Sequence, residues 1–363
     1  MKLVIDCRYT RLGHHDGISR YAARVTEAVA RRHPVTMLIS DERQLEMLPD
    51  LPWVKISSPT SVRELFVARQ VNRLNPDVVF TPMQTMGSWG RRYGLVLTLH
   101  DLIYYRNRTP PRDLPAVIRL LWRLYHLAWW PQRLLLNRAD EVATVSETSK
   151  TLIERHRLTR RPITVVRNAA DPAPGTPRSA PSGDAVRELV YMGSFMPYKN
   201  VETLARALHE LSDHRLHLMS RIGVADRARL TELAPDGALV FHDGASDEEY
   251  RAVLSRATAL LSTSLDEGFG IPLVEAMSLG TPVVVSDIPI FREIGGEAAR
   301  FVPPKDASAV AAAVRELADA DTWARASSAS RAQAANFDWD RSAAELLELV
   351  ERVVSRRAAP GRR

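Results

Sequence analysis

Short apolar runs alternate with longer amphipathic stretches along the whole chain, in two series interrupted once by a proline-rich segment. Apolar runs of this kind are strands buried on both faces, and amphipathic stretches between them are the crossovers of a parallel sheet. The first series places strands at Leu3–Ile5, Val35–Ile39, Val78–Phe80, Leu95–Leu99 and Val142–Val145. The second places them at Leu189–Gly193, Leu216–Met219, Leu239–Phe241, Ala259–Leu261 and Pro282–Val285. Between the two, residues 170–184 carry four prolines and two glycines without periodicity, which reads as a linker. A chain of 363 residues suits two domains. The expected boundaries are 1–170, a linker at 171–184, a second domain at 185–336 and a terminal segment at 337–363. Two such α/β domains leave a crevice at the carboxyl ends of their strands, where ligands bind.

Charge divides along the same line. Residues 1–171 hold 27 basic and 16 acidic side chains, a balance of +11, while the remainder carries −5. A basic half suits an anionic partner, and nucleic acid, anionic lipid and a phosphorylated substrate all qualify on charge alone. The lone cysteine, Cys7, excludes an internal disulfide framework and fits a reducing compartment. The apolar run at the N-terminus is too short for a signal peptide, and no stretch reaches the roughly 18 apolar residues of a membrane span. A cytoplasmic protein is expected, with peripheral contact at the inner face of the plasma membrane left open.

The richest stretch is Asp266-Glu267-Gly268-Phe269-Gly270-Ile271-Pro272-Leu273-Val274-Glu275-Ala276, after a buried strand and the polar turn Ser262-Thr263-Ser264. Pro272 suits the first helical position, where its missing N–H costs nothing. The backbone N–H groups of Leu273 and Val274 would then point out of a helix N-terminus, an anion site. Gly268 and Gly270 let the backbone approach a ligand. Glu267, in the loop, and Glu275, in the first helical turn, flank this phosphate-sized site, and carboxylates beside a phosphate more naturally accept hydrogen bonds from sugar hydroxyls. A diphosphate carrying a sugar satisfies both demands. The competing reading leaves Glu275 as a helix-dipole partner and Glu267 solvated.

This stretch resembles the Glu-x7-Glu signature of family-4 retaining glycosyltransferases, and the likeness covers nearly the whole chain. Ala276–Val284, Val142–Ser149, Val166-Arg167-Asn168 and Gly193–Asn200 fall where members of that family have counterparts. Phe337-Asp338-Trp339 and the helix after it resemble the segment that crosses back to the N-terminal domain in GT-B proteins. The resemblance implies a GT-B fold, with two Rossmann-like domains whose parallel sheets face across a cleft, the first on the acceptor side and the second binding a nucleotide sugar. Within Gly193-Ser194-Phe195-Met196-Pro197-Tyr198-Lys199-Asn200, Lys199 is placed to neutralise the departing diphosphate. Many family members have an arginine directly after this glycine, where this chain has Ser194. The Gly-x3-Pro-x-Lys-Asn form resembles bacterial mannosyltransferases of surface polysaccharide synthesis. The resemblance also gives His100, at the end of a strand, a contact with the donor sugar near the reacting carbon. A core histidine is the alternative.

Two further segments bear on partners. Gly13-His14-His15-Asp16-Gly17 follows the first strand and opens a helix. It is not the Gly-x-Gly-x-x-Gly dinucleotide fingerprint, and Gly13 and Gly17 would let the chain approach the donor. No third ligand stands near the paired histidines at zinc spacing, so no metal is expected there. Over 112–133, Arg112, Arg119, Arg123, His126 and Arg133 form a basic stripe beside Trp122, Trp129 and Trp130, ended by Pro131. Such a helix can lie on an anionic bilayer, or bury its apolar face while its arginines reach water.

The function expected from all this is a retaining hexosyltransferase that moves mannose from GDP-mannose to a glycan or glycolipid acceptor in cell-surface polysaccharide synthesis. Front-face displacement is the implied mechanism, with Lys199 and the helix start at Leu273–Val274 stabilising the leaving diphosphate, which itself takes the acceptor proton. Neither cofactor nor metal is expected, since the reading finds no Asp-x-Asp run to hold a divalent cation on the phosphates, and no nucleic-acid partner. The alternatives are a UDP-sugar-dependent member of the family, a nucleotide-sugar epimerase and a non-catalytic sugar-nucleotide-binding protein.

Overall fold

The computed structural model describes residues 1–110, 116–171 and 187–359, with the backbone alone for Ala116 and Val117. The linker expected at 171–184, apart from Asp171, lies outside the described residues, as does Arg112. The chain divides into two units, one formed by residues 1–168 with residues from Trp339 onward, the other by Ala169–Asp338.

The first unit is built on seven parallel strands: β1 (Leu3–Asp6), β2 (Val35–Ile39), β3 (Trp53–Lys55), β4 (Val78–Thr81), β5 (Gly94–Thr98), β6 (Glu141–Thr144) and β7 (Ile163–Val165). Their order is β3-β2-β1-β4-β5-β6-β7, so the direction of winding reverses between β1 and β4. That reversal opens a crevice at the carboxyl ends of these two strands. β1, β4, β5 and β6 are buried along their whole length, which is why their sequences are mainly apolar. The helix Trp339–Ala358 packs against the helix Gly17–Ala30 and over β4 and β5. Gly94 makes its approach feasible, since a Cβ there would lie 2.6 Å from Val353 Cγ1. Arg167 Nη1 reaches Glu345 Oε1 at 2.6 Å, and Ser342 Oγ donates to the Arg167 carbonyl at 2.8 Å.

Just beyond β1, charge is held inside the unit. Arg8 grips Asp6 through two parallel bonds of 2.8 Å, and neither side chain is exposed at all. The other edge of the guanidinium donates to Glu64 at 2.6 Å and to the Ser57 carbonyl at 3.0 Å. Paired this fully, a buried ion pair is tolerated; broken, it strands a charge. Burial also pushes the neighbouring Cys7 thiol up to about 12, so it stays protonated and unreactive.

The second unit has six parallel strands: β8 (Arg187–Tyr191), β9 (His214–Leu218), β10 (Leu239–Phe241), β11 (Ala259–Ser262), β12 (Val283–Ser286) and β13 (Arg300–Val302). Their order, β10-β9-β8-β11-β12-β13, reverses between β8 and β11. Its core runs from Leu189 and Leu216 on the sheet to Trp323 on the helix Ala320–Ala334. The Trp323 indole N–H donates to the Thr258 carbonyl at 2.9 Å, which satisfies its one polar atom in full burial. Three strands escaped the sequence reading: β3, β7 and β13. Each is a three-residue strand at the edge of its sheet.

Candidate active site

The reversal between β8 and β11 positions the candidate site. Strand β8 runs into the loop Gly193–Asn200, and β11 runs into Thr263–Gly270, so two loops from distant sequence meet at one crevice of the second unit. There Lys199 Nζ forms an ion pair with Glu267 Oε1, the two side chains 15% and 13% exposed. Ser264 Oγ donates to the same carboxylate oxygen at 3.1 Å. The ammonium also lies 5.4 Å from the centre of the Tyr198 ring, within cation–π reach. Lys199 is therefore held in place, with donors to spare among its three N–H bonds.

Asn200 is the joint that holds the loops in register. Its backbone is left-handed, at φ 51° and ψ 40°, a conformation asparagine adopts more readily than most residues. Its Nδ2 donates to the carbonyls of Thr263 at 3.0 Å and Pro304 at 2.6 Å, while Thr263 Oγ1 donates back to the Asn200 carbonyl at 2.8 Å. Leu265 N–H adds a bond to the Tyr198 carbonyl at 2.8 Å. The sequence reading gave Asn200 no role; its signal was an asparagine between a turn and a helix start. On the β8 side, Tyr191 Oη donates to the Ser194 carbonyl at 2.6 Å, and Gly193 N–H donates to Ser220 Oγ at 3.2 Å. The Ser194 side chain is exposed.

Gly270 caps the helix Ile271–Ser278 in the left-handed region, at φ 96°. A Cβ there would also press on Phe291 at 3.1 Å, so glycine is required twice over. Three readings of this helix need correction. Ile271, not Pro272, takes the first helical position, and Pro272 the second. The Leu273 N–H is engaged by the Gly270 carbonyl at 2.9 Å, because the first turn is tight, so it does not point free out of the helix. The side chains of Leu273, Val274 and Phe269 are buried, that of Phe269 edge-on to Phe337 at 5.7 Å. What these residues and Gly268 can offer a ligand is therefore backbone. Glu275 stands at the fifth helical position, past the first turn, rather than within it.

These loops lie in the region matched by a family model described as "Glycosyl transferases group 1", over residues 186–320, and a second, "Glycosyltransferase Family 4", matches residues 15–174. Together they take in most of the chain. The chain belongs to glycosyltransferase family 4. It is thus an enzyme, a retaining hexosyltransferase by class. Among curated relatives, the O-antigen chain mannosyltransferase RfbU of Salmonella typhimurium is 24% identical over 85% of this chain and 89% of its own length. The MMP alpha-(1→4)-mannosyltransferase of Mycolicibacterium hassiacum is 27% identical over 74% of this chain and 67% of its own. Among solved structures, sucrose-phosphate synthase from Thermosynechococcus elongatus superposes with a TM-score of 0.73 at 20% identity, covering 98% of this chain and all of that one. Anabaena HepE in complex with UDP and glucose gives 0.72 at 18% identity, covering 97% and 100%. These likenesses establish the two-sheet GT-B fold.

In the first unit of the glycosyltransferase, His100 follows β5, and its Nε2 donates to the Pro82 carbonyl at 2.8 Å. Its ring meets Tyr21 edge-on at 5.1 Å. The imidazole is part-exposed in area yet closely surrounded by atoms, and this desolvation lowers its pKa, so the ring is neutral near pH 7. The bond to Pro82 fixes the proton on Nε2 and leaves Nδ1 as an acceptor. Gly13 sits in a left-handed turn, and Gly17 is the exposed first residue of its helix, capped by Asp16 accepting from Ser19 N–H at 2.8 Å. Asp-x-Asp spacings do occur in the chain, contrary to the sequence reading, and both serve structure. Asp319, of Asp319–Asp321, caps the helix Ala320–Ala334, and Asp340, of Asp338–Asp340, pairs with Arg31 at 2.8 Å.

Proposed function

We propose that this glycosyltransferase moves mannose from GDP-mannose to a glycan or glycolipid acceptor in cell-surface polysaccharide synthesis, with Lys199 and the Gly270-capped helix receiving the donor diphosphate. The observation that carries this reading is the meeting of Lys199 and Glu267 at the strand-order reversal, beside a helix start. A lysine held there can turn one N–H to a phosphate oxygen as negative charge grows on the leaving group. Glu267 and Glu275 then serve the sugar hydroxyls, and His100, neutral, offers Nδ1 to a hydroxyl near the reacting carbon. The choice of mannose is supported by the mannosyltransferase names of relatives from two genera. The structure of HepE with UDP and glucose favours the second reading, a UDP-sugar donor.

A thermal-shift panel of GDP, UDP, ADP and TDP separates the two. The cognate nucleotide at 100 times its Kd adds about 2.7 kcal/mol of stability, and the others far less. A larger shift with UDP than with GDP overturns the donor assignment. We further propose that no divalent cation takes part. Transfer then persists unchanged in excess EDTA, and abolition by the chelator with rescue by magnesium or manganese contradicts it.

The acceptor half rests on the segment after His100. Ile118, Leu120, Leu121, Leu124, Leu127, Trp130 and Leu134 are each 45–65% exposed, an apolar surface with Arg119 and Arg123 among it. Trp129 is not part of this surface; it is stacked between Tyr105 and His156 at 4.1 and 4.3 Å. Arg133, though exposed, is bonded to the carbonyls of His156 and Arg157. Exposed leucines flanked by arginines are what an interfacial helix presents to an anionic bilayer at the inner face of a plasma membrane. None of the described helices is long and apolar enough to cross one. Co-sedimentation with vesicles containing anionic lipid is expected, and Leu121→Asp with Leu124→Asp should release the protein. Equal recovery with neutral vesicles would leave the arginines without a part in it.

A further inference from the structure

A cavity of about 170 Å³ opens in the first unit beside His100, bordered also by Asp101, Tyr104, Tyr105, His126 and Gln132. That is room for about five waters at their liquid volume, or for one sugar ring. Gln132 is only 1% exposed, and its amide is oriented, because Tyr125 Oη donates to Oε1 at 3.1 Å. The other end, Nε2, is buried without a hydrogen-bond partner among the described residues. Two buried N–H donors without an acceptor cost stability, so the amide calls for a partner that enters the cavity.

The remaining walls define what that ligand is. Among the described residues bordering the cavity there is no lysine or arginine, and Asp101 brings a carboxylate. Burial holds both His100 and His126 toward the neutral form. A phosphate finds no cation there. Each histidine spends one ring nitrogen on a carbonyl, His100 on Pro82 and His126 on Trp122 at 2.8 Å, which leaves the other nitrogen as an acceptor. Donors from Gln132, acceptors from the imidazoles and aromatic walls match an uncharged ring carrying several hydroxyls.

We propose that this cavity binds one neutral sugar ring, with Gln132 Nε2 donating to a ring hydroxyl and the free imidazole nitrogens accepting from others. The assignment rests on the glycosyl-transfer reading above. The ring belongs either to the acceptor or to the donor, and kinetics distinguish them.

Methyl α-D-mannopyranoside is the probe, titrated calorimetrically into the full chain without nucleotide. It is expected to bind, and Gln132→Leu and Gln132→Met to weaken it about tenfold, the equivalent of one hydrogen bond. GDP affinity should be unmoved, and both variants should still melt cooperatively. Undiminished binding in both variants, or no binding to the unaltered protein, overturns the subsite. In transfer from GDP-mannose to the same glycoside, a raised KM for the glycoside assigns the ring to the acceptor. A raised KM for GDP-mannose assigns it to the donor, and neither change overturns the proposal. Failure of the transfer reading would appear separately, as absence of any nucleotide release, while the calorimetric result still decides the cavity.

Discussion

Lys199→Ala is expected to lower kcat by about 10²–10³, the loss seen when one preorganised donor to a developing negative charge is removed, worth about 2.7–4 kcal/mol. The structure adds a second consequence. Glu267 is 13% exposed and loses its counter-charge, keeping the hydroxyl of Ser264 at 3.1 Å. An uncompensated carboxylate at that position repels the donor's diphosphate as well. Nucleotide affinity should therefore fall along with turnover. Lys199→Ala combined with Glu267→Gln should bind nucleotide more tightly than Lys199→Ala alone, yet remain slow. Glu275→Gln should be slow with near-normal nucleotide affinity, since it removes a sugar contact and leaves the phosphate site. Equal kcat in Lys199→Ala and the parent at saturating donor would remove Lys199 from the transfer step.

The largest expected effect on folding lies in the other unit. Arg8→Met leaves the carboxylate of Asp6 without its main partner at 0% exposure. Breaking a buried pair in this way costs about 3–5 kcal/mol, against little for replacing the pair as a whole. For a unit of this size that is a fall in melting temperature of roughly 10 °C. Arg8→Met with Asp6→Asn should regain much of the loss, because the stranded charge is gone. Scanning calorimetry of the three proteins checks it. A double variant no more stable than Arg8→Met would show that Glu64 and Ser57, rather than Asp6, set the cost.

How much of this was legible in the sequence follows from where each residue sits. Central strands such as β1, β5 and β12 are covered on both faces, so the apolar run is the whole signal. At the edges, Trp53-Val54-Lys55 and Arg300-Phe301-Val302 are partly exposed and mix polar with apolar residues, and three residues are too few to show a period. β10, also three residues at an edge, was legible because Leu239-Val240-Phe241 is wholly apolar. Within the site, the glycine and proline punctuation located the helix start to one residue. Which residue took the first position was decided by Gly270 turning left-handed, a backbone event with no signature beyond the glycine. The pairing of Lys199 with Glu267 was hidden, because their 68-residue separation closes only through the strand order of the second sheet. The Gln132 cavity was hidden for the same reason. Its lining comes from segments as far apart as Ile18, Gln84 and Gln132, and nothing local marks a glutamine left without an acceptor.

The helix Trp339–Ala358 carries a consequence for how the chain reaches its native state. It covers β4 and β5 and the helix Gly17–Ala30, although the whole of the second unit is synthesised before it. On the ribosome, residues 1–168 therefore emerge with one flank of their sheet bare. Residues 169–338, continuous in sequence, have all their strands in hand first. The usual N-terminal-first order is inverted: the domain begun first is the one completed last. During that interval the surfaces awaiting Leu346, Leu349, Val350 and Val353 face solvent, a window in which chaperone occupancy should concentrate on the early half of the chain.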